Sequence, residues 1–87
     1  MKKIFTDEAW LDYLWLSEKD KKTLKKLNQI IKDIERHGHQ GMGKPERLKN
    51  DSAGRWSRRL NKKDRLVYSL EEDSIIIRAC RTHYGEK

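Results

Sequence analysis

Gly54-Arg55-Trp56-Ser57-Arg58-Arg59-Leu60 and Arg65-Leu66-Val67-Tyr68-Ser69-Leu70 are two runs of aromatic, β-branched and large apolar residues laced with arginine. The short polar segment Asn61-Lys62-Lys63-Asp64 separates them, and the pattern predicts a β-hairpin. Strand side chains alternate, so Trp56, Arg58 and Leu60 share one face while Ser57 and Arg59 share the other. A connection with an odd number of residues sets Leu60 toward Leu66 and puts Arg59 on the face of Arg65. A two-residue turn would mix apolar and charged positions. The odd loop is the better reading, because it leaves one face for a core and one carrying two guanidiniums. Such a face seats a phosphate, since arginine presents a fork of donors matched to its oxygens.

Outward from the hairpin, the acidic turn Glu71-Glu72-Asp73 leads into Ser74-Ile75-Ile76-Ile77-Arg78-Ala79-Cys80-Arg81, which reads as a central strand. On the other side, Arg47-Leu48-Lys49 reads as a short edge strand and Gly41-Met42-Gly43-Lys44-Pro45-Glu46 as a loop. Leu24, Leu27, Ile30, Ile31 and Ile34 recur at helical spacing from Lys21 onward. Lys22, Lys25, Lys26, Lys32, Asp33 and Arg36 fall on the opposite face, and Gly38 supplies a stop. Thr6 is a cap for an earlier helix over 7–17, on which Trp10, Leu11, Leu14 and Trp15 share a side expected to pack into the core. Ser17-Glu18-Lys19-Asp20 marks the break between the helices, and Lys3-Ile4-Phe5 is a candidate first strand. The order β-α-α-β-β-β is an α+β architecture, with both helices on one face of a mostly antiparallel sheet.

The 87 residues suit a single domain, 1–87, with a thin core and modest stability. Three Trp, three Tyr and the periodicity argue for a folded chain despite 40% charged residues. A single Cys80 excludes an internal disulfide and fits a reducing cytoplasm. No apolar run suits a membrane helix, so no membrane partner is expected, and no signal peptide precedes the first helix. The net charge of +7 is uneven: residues 1–43 hold 9 Lys/Arg against 7 Asp/Glu, and residues 44–87 hold 12 against 7. The excess therefore sits in the strand-rich half, which points to a polyanionic partner, most often nucleic acid. His37-Gly38-His39 invites a metal, but no Cys or acid cluster nearby completes a ligand set, and neither a metal nor another cofactor is expected.

Cleaving RNA without a metal needs a base for the 2′-hydroxyl, an acid for the departing 5′-oxygen and cations around the phosphorane. Glu46 is the carboxylate of the Gly/Pro loop, beside Lys44, Arg47 and Lys49. His83 exchanges protons near neutral pH. Arg59 and Arg65, with Lys49, can hold a phosphate, and Tyr84 can stack on a base or lend a hydroxyl. Spacing alone does not bring these groups together.

Gly43-Lys44-Pro45-Glu46, Trp56-Ser57-Arg58-Arg59, Arg65-Leu66-Val67-Tyr68 and His83-Tyr84 resemble the motifs of YoeB/Txe-type toxins of the RelE superfamily. Asp7-Glu8-Ala9-Trp10-Leu11-Asp12-Tyr13 and Leu27-Asn28-Gln29-Ile30-Ile31-Lys32-Asp33-Ile34 are similar to that family's opening helices, so the likeness runs along nearly the whole chain. The resemblance implies a RelE-like fold of two N-terminal helices on a four- to five-stranded sheet. It implies a ribosome-dependent, metal-independent endoribonuclease that cuts messenger RNA in the ribosomal A site and stops translation. By position, Glu46 would be the general base, His83 the general acid, Arg65 the transition-state cation aided by Arg59 and Lys49, and Tyr84 the residue orienting the nucleotide. Lys44 and Arg81 complete the expected RNA contacts. Implied partners are a YefM/Axe-like antitoxin, the 70S ribosome with its message, operator DNA through the antitoxin complex, and a second copy in a homodimer.

Three departures from the family pattern carry expectations. Arg36-His37-Gly38-His39-Gln40 replaces an Arg-x-Pro-Phe turn and predicts a looser loop. Arg47 stands where a Pro commonly follows the Glu, which predicts a freer Glu46 and added positive charge that lowers its carboxyl pKa. Gly85-Glu86-Lys87 follows the His-Tyr pair and displaces the terminal carboxylate. Two other readings compete: a relative without nuclease activity, such as a ParE-like gyrase inhibitor, and a basic module that only coats nucleic acid. Neither needs the Glu46, Arg65 and His83 set.

Overall fold

The computed structural model describes residues 1–82, Thr82 by its backbone alone. The two hairpin strands are β3 (Trp56–Arg59) and β4 (Arg65–Glu71), joined by the odd connection 60–64. Arg59 pairs with Arg65, Arg58 with Leu66, Ser57 with Val67 and Trp56 with Tyr68, so the two expected guanidiniums do share a face. Asn61 sets the turn: its Oδ1 accepts from the backbone N–H groups of Lys63 and Asp64 at 2.8 and 2.7 Å. An asparagine carbonyl thus substitutes for a backbone acceptor.

β1 (Lys2–Phe5) and β5 (Ser74–Thr82) run parallel, and β2 (Glu46–Arg47) adds an antiparallel edge, giving the order β1-β5-β4-β3-β2. The edge strand therefore begins one residue earlier than expected and includes Glu46, whose register partner is Ser57. Two register shifts between β4 and β5 bend the sheet beside Arg65 and Val67.

Helices α1 (Asp7–Lys19) and α2 (Lys21–His37) meet at Asp20, which ends one and caps the other, its carboxylate accepting from Thr23 N–H and Oγ1. Gly38 stops α2 at φ 65°, a left-handed value that glycine takes without strain. Leu27, Ile30 and Ile34 of α2 pack on Leu66, Tyr68, Ile75 and Ile77, forming the core between helices and sheet.

The expectation that α1 turns its tryptophan side into the core is overturned. Ala9 and Leu16 are its buried residues, while Trp10, Leu11, Leu14 and Trp15 are 48, 66, 41 and 37% exposed. The rotation has a polar cause. Asp12 accepts the Cys80 N–H at 3.0 Å, Thr6 Oγ1 donates to the Arg78 carbonyl at 3.1 Å, and Ala9 lies against the Cys80 thiol. These anchors turn the 9-12-13-16 side inward and leave the larger apolar residues outside. Trp10 stacks on Tyr13 at 5.8 Å and meets Phe5 edge-on at 5.9 Å.

Arg58 lies on the helix-facing side with no exposure, where an apolar residue would be ordinary. Its Nη1 donates to Asp33 Oδ2 and the Met42 carbonyl, Nη2 to the carbonyls of Gly38 and Gln40, and Nε to the Tyr68 hydroxyl. Every donor direction is matched, so the buried charge is paired and hydrogen-bonded. His39 in the same loop stacks on Trp56 at 3.9 Å and 7° and reaches Tyr68 Oη through Nδ1 at 3.2 Å. The 38–42 loop is therefore clamped, which corrects the expectation of a looser segment: Arg58, with His39 on Trp56, holds it without a Pro-Phe turn.

Candidate active site

Two rows of residues cross the face of the sheet away from the helices. Glu46, Ser57, Val67 and Ala79 form one through successive register pairs; Arg59, Arg65 and Thr82 form the next. Arg65 Nη1 donates to Glu46 Oε1 at 3.0 Å and leans on Ser57 Oγ at 3.4 Å. The Glu46 side chain is 65% exposed and that of Arg65 27%, so the carboxylate stands in solvent while the cation is half sunk into the sheet. The remaining donors of Arg65 have no partner among the described residues, and the exposed Arg59 side chain has none among them either. Two arginine side chains from neighbouring strands thus offer unused N–H groups beside the Glu46 carboxylate, and such guanidinium donors suit a phosphate.

The floor is apolar and tied down. Leu48, Val67 and Ala79 form a second small buried cluster beneath this face. Over it, Leu48 N–H donates to the Arg55 carbonyl, while the Asp51 carboxylate gathers the N–H groups of Ala53 and Arg55 and the Arg55 side chain. Arg55 bonded to Asp51 holds that carboxyl at about 2. On the other flank, Arg59 N–H donates to the Gly43 carbonyl at 2.7 Å and fixes the loop that leads to Glu46. Lys44 in that loop has φ 50°, a left-handed conformation uncommon for a side-chain-bearing residue.

Of the expected site residues, the structure brings Glu46, Arg59 and Arg65 together, with Lys44 on the adjoining loop. Lys49 is exposed on the segment after β2 and has no ion pair among the described residues. Arg81 is not at this cluster: its guanidinium lies 3.6 Å over the Trp15 ring of α1. His83 and Tyr84, with Gly85-Glu86-Lys87, lie outside the described residues. The cation facing Glu46 is Arg65 rather than Arg47, because Arg47 pairs with Trp56 and so points to the other side of β2. Ser57, which seats Arg65, escaped the sequence reading; its only signal was a small polar residue on the arginine face. The same reading left Arg58 without a role. Neither ring of the His-Gly-His segment belongs to a group of three His, Cys, Asp or Glu side chains placed to hold a metal among the described residues.

Two helices on one face of a five-stranded sheet, with a basic cluster on the other, are the RelE-like arrangement that the sequence resemblance implies. The profile described as YoeB-like toxin of bacterial type II toxin-antitoxin system matches residues 5–84. Toxin YoeB of Escherichia coli O6:H1 is 51% identical over 84 residues, covering 97% of this chain and all of that protein. The YoeB dimer from Staphylococcus aureus superposes with a TM-score of 0.92 at 41% identity, over 97% of this chain and 98% of that one. The YoeB chain in the heterotetrameric YoeB-YefM toxin-antitoxin complex from that organism gives 0.88 at the same identity and coverage. This chain belongs to the YoeB family of type II toxins.

Proposed function

We propose that the protein is a ribosome-dependent messenger-RNA endonuclease whose chemistry runs on the open sheet face. The observation that carries this reading is the Glu46–Arg65 contact at 3.0 Å, seated on Ser57 and flanked by Arg59. Glu46 takes the proton from a 2′-hydroxyl, the oxygen attacks the adjacent phosphorus, and the 5′-oxygen leaves with a proton from His83. The products are a 2′,3′-cyclic phosphate and a free 5′-hydroxyl. Arg65 and Arg59 meet the charge that builds on the phosphorane. In sequence, His83 directly follows Thr82, the register partner of Arg65. Tyr84 orients the nucleotide, and Lys44 and Lys49 add RNA contacts farther out. Both proton transfers use side chains, so the reaction is metal-independent.

The partners follow from the same reading: a YefM-like antitoxin, the 70S ribosome and its message, operator DNA through the antitoxin complex, and a second copy of the chain. No described helix is long and apolar enough to cross a membrane, and cytoplasmic action fits a ribosomal target. Primer extension on a reporter message, with and without ribosomes, tests the proposal. Cuts that need ribosomes and vanish in His83→Ala and Arg65→Ala are expected. Unaltered cutting by both variants would overturn the mechanism, and no cutting by the unaltered protein would overturn the nuclease.

A further inference from the structure

β5 does not keep step with β4. From Glu71–Ser74 to Tyr68–Ile77 the two strands advance residue for residue, but between Tyr68–Ile77 and Arg65–Thr82 β4 advances three residues and β5 five. Two residues are therefore extra on β5, one at Arg78 and one at Cys80–Arg81. Each is a bulge, which re-aims the chain beyond it. In an unbroken ladder Arg65 would face Cys80. Thr82 takes that register position instead, and Cys80 is buried in the core. The register matters at the candidate site. With both bulges the residue after Arg65's partner is His83, whereas in an unbroken ladder His83 would come two residues, or about 7 Å of extended chain, later. Losing one bulge alone would set Arg81 directly opposite Arg65, like against like, and a one-residue slip turns every later side chain to the other face.

The bulged stretch is held from α1. β1 ends opposite Ile77, so from Arg78 onward β5 has a strand neighbour on one side only. Arg78, Cys80 and Arg81 have no register partner on β4 among the described residues. Each is met instead by α1 or its cap. Thr6 Oγ1 donates to the Arg78 carbonyl at 3.1 Å, Asp12 Oδ2 accepts the Cys80 N–H at 3.0 Å, and the Trp15 ring lies 3.6 Å beneath the Arg81 guanidinium. Asp12 and Trp15 are three residues apart and so share a side of the helix. The first bulge has a further tie on the open face, where Arg78 Nε donates to Ser69 Oγ at 3.1 Å. At the second, every side-chain hydrogen bond or ring contact among the described residues runs to α1, the Cys80 thiol reaching the Ala9 carbonyl at 3.6 Å.

We propose that Thr6 and Asp12, from α1 and its cap, set the register of the end of β5 against Arg65, which makes both of them positioning residues for cleavage. The second clause rests on reading the open face as a ribonuclease; the register itself can be measured without cleavage. Single-turnover cutting of a ribosome-bound message, followed against toxin concentration, separates the saturating rate from the half-saturating concentration. NMR reads the cross-strand contact between the Arg65 and Thr82 backbones. A misplacement of about 1 Å costs on the order of 100-fold, so Asp12→Ala should lose roughly 10–100-fold in the saturating rate. Its half-saturating concentration should barely move, and its Arg65–Thr82 contact should weaken. Asp12→Asn keeps an acceptor for the Cys80 N–H and should recover most of both. Thr6→Asp still caps α1 but has no hydrogen for the Arg78 carbonyl, so it should act in the direction of Asp12→Ala. Leu16→Ala loosens α1 without touching either bulge and should keep rate and contact at a temperature at which it is folded. An unaltered rate and contact in Asp12→Ala would overturn the proposal. So would an equal loss of rate in Leu16→Ala, which would leave Asp12 a purely stabilising part. If Asp12→Ala does not fold, Thr6→Asp decides in its place. If the unaltered protein leaves the message uncut, the nuclease reading falls, and the Arg65–Thr82 contact in the variants still decides the register.

Discussion

Replacing Arg58 with alanine removes the guanidinium that joins β3, β4, α2 and the 38–42 loop. The substitution leaves the Asp33 carboxylate, the carbonyls of Gly38, Gln40 and Met42, and the Tyr68 hydroxyl without that donor. Breaking a buried ion pair by deleting one partner costs about 3–5 kcal/mol, because the other charge stays behind. Two features set the loss within that range. Asp33 keeps the Met42 N–H at 3.1 Å, and its 17% exposure lets water reach it, which lowers the figure. The three stranded carbonyls, each about 0.5–1.5 kcal/mol as a net hydrogen bond, raise it. A loss of about 4 kcal/mol is expected. For a domain of 87 residues, each kcal/mol lowers the melting temperature by roughly 4–8 °C, so a fall of at least about 15 °C should appear in calorimetry or urea unfolding. Arg58→Lys should recover part of it, keeping the charge but losing the fork. In a double-mutant cycle with Asp33→Asn the two losses should be strongly non-additive. A loss below about 1 kcal/mol in Arg58→Ala would refute the clamp.

Leu16→Ala and Leu11→Ala test the rotation of α1: Leu16 is fully buried and should cost about 2–5 kcal/mol, whereas Leu11, 66% exposed, should stay within roughly 0.5 kcal/mol in urea unfolding. Gly41→Ala should destabilise by about 2 kcal/mol or more, since φ is +126° and an added Cβ would overlap the Asp33 carboxylate; a neutral result in thermal melts would contradict the loop geometry. Acid should weaken the fold in stages. Burial and the Arg58 charge lower the His39 pKa, so its neutral form favours folding above the ordinary 6.5 and that contribution is lost as pH falls below it. Asp33, bonded to Arg58, and Asp51, bonded to Arg55, also have lowered values, so their stabilisation is present above 3.8 and is lost below it, for Asp51 on the way to about 2. Urea midpoints measured from pH 8 to pH 2 should show both stages, and His39→Phe should abolish the first.

The hairpin was legible because two constraints agreed: alternation placed Arg59 with Arg65, and an odd connection kept apolar and charged positions on separate faces. α2 was equally legible, since its apolar stripe is uninterrupted and capped at both ends. α1 misled for a physical reason. Its largest apolar residues share a side, but Asp12 and Thr6 bind the β5 backbone, and those contacts set the rotation. A polar contact to a strand some seventy residues away leaves no trace in local periodicity. Arg58 was illegible in the same way, because its partners come from separate segments and one arginine among several in the run does not announce them. At the site, Glu46 and the arginine pair could be named from residue type, whereas Ser57 became visible only once β2, β3 and β4 were in register.

The parallel pairing of β1 with β5 has a consequence for synthesis. β1 precedes every other described element in the chain, yet Thr6, which follows it, finds its partner at Arg78, a separation of 72 residues. β5 also lies between β1 and β4, so it supplies the inner neighbour of both. Contacts this distant in the chain form late and slowly. A nascent chain can wind α1 and α2 as it emerges, but the sheet closes, and Arg65 gains its β5 neighbour, only after Thr82 has left the exit tunnel. The face that carries Glu46, Arg59 and Arg65 is thereby incomplete until β5 has been made and paired.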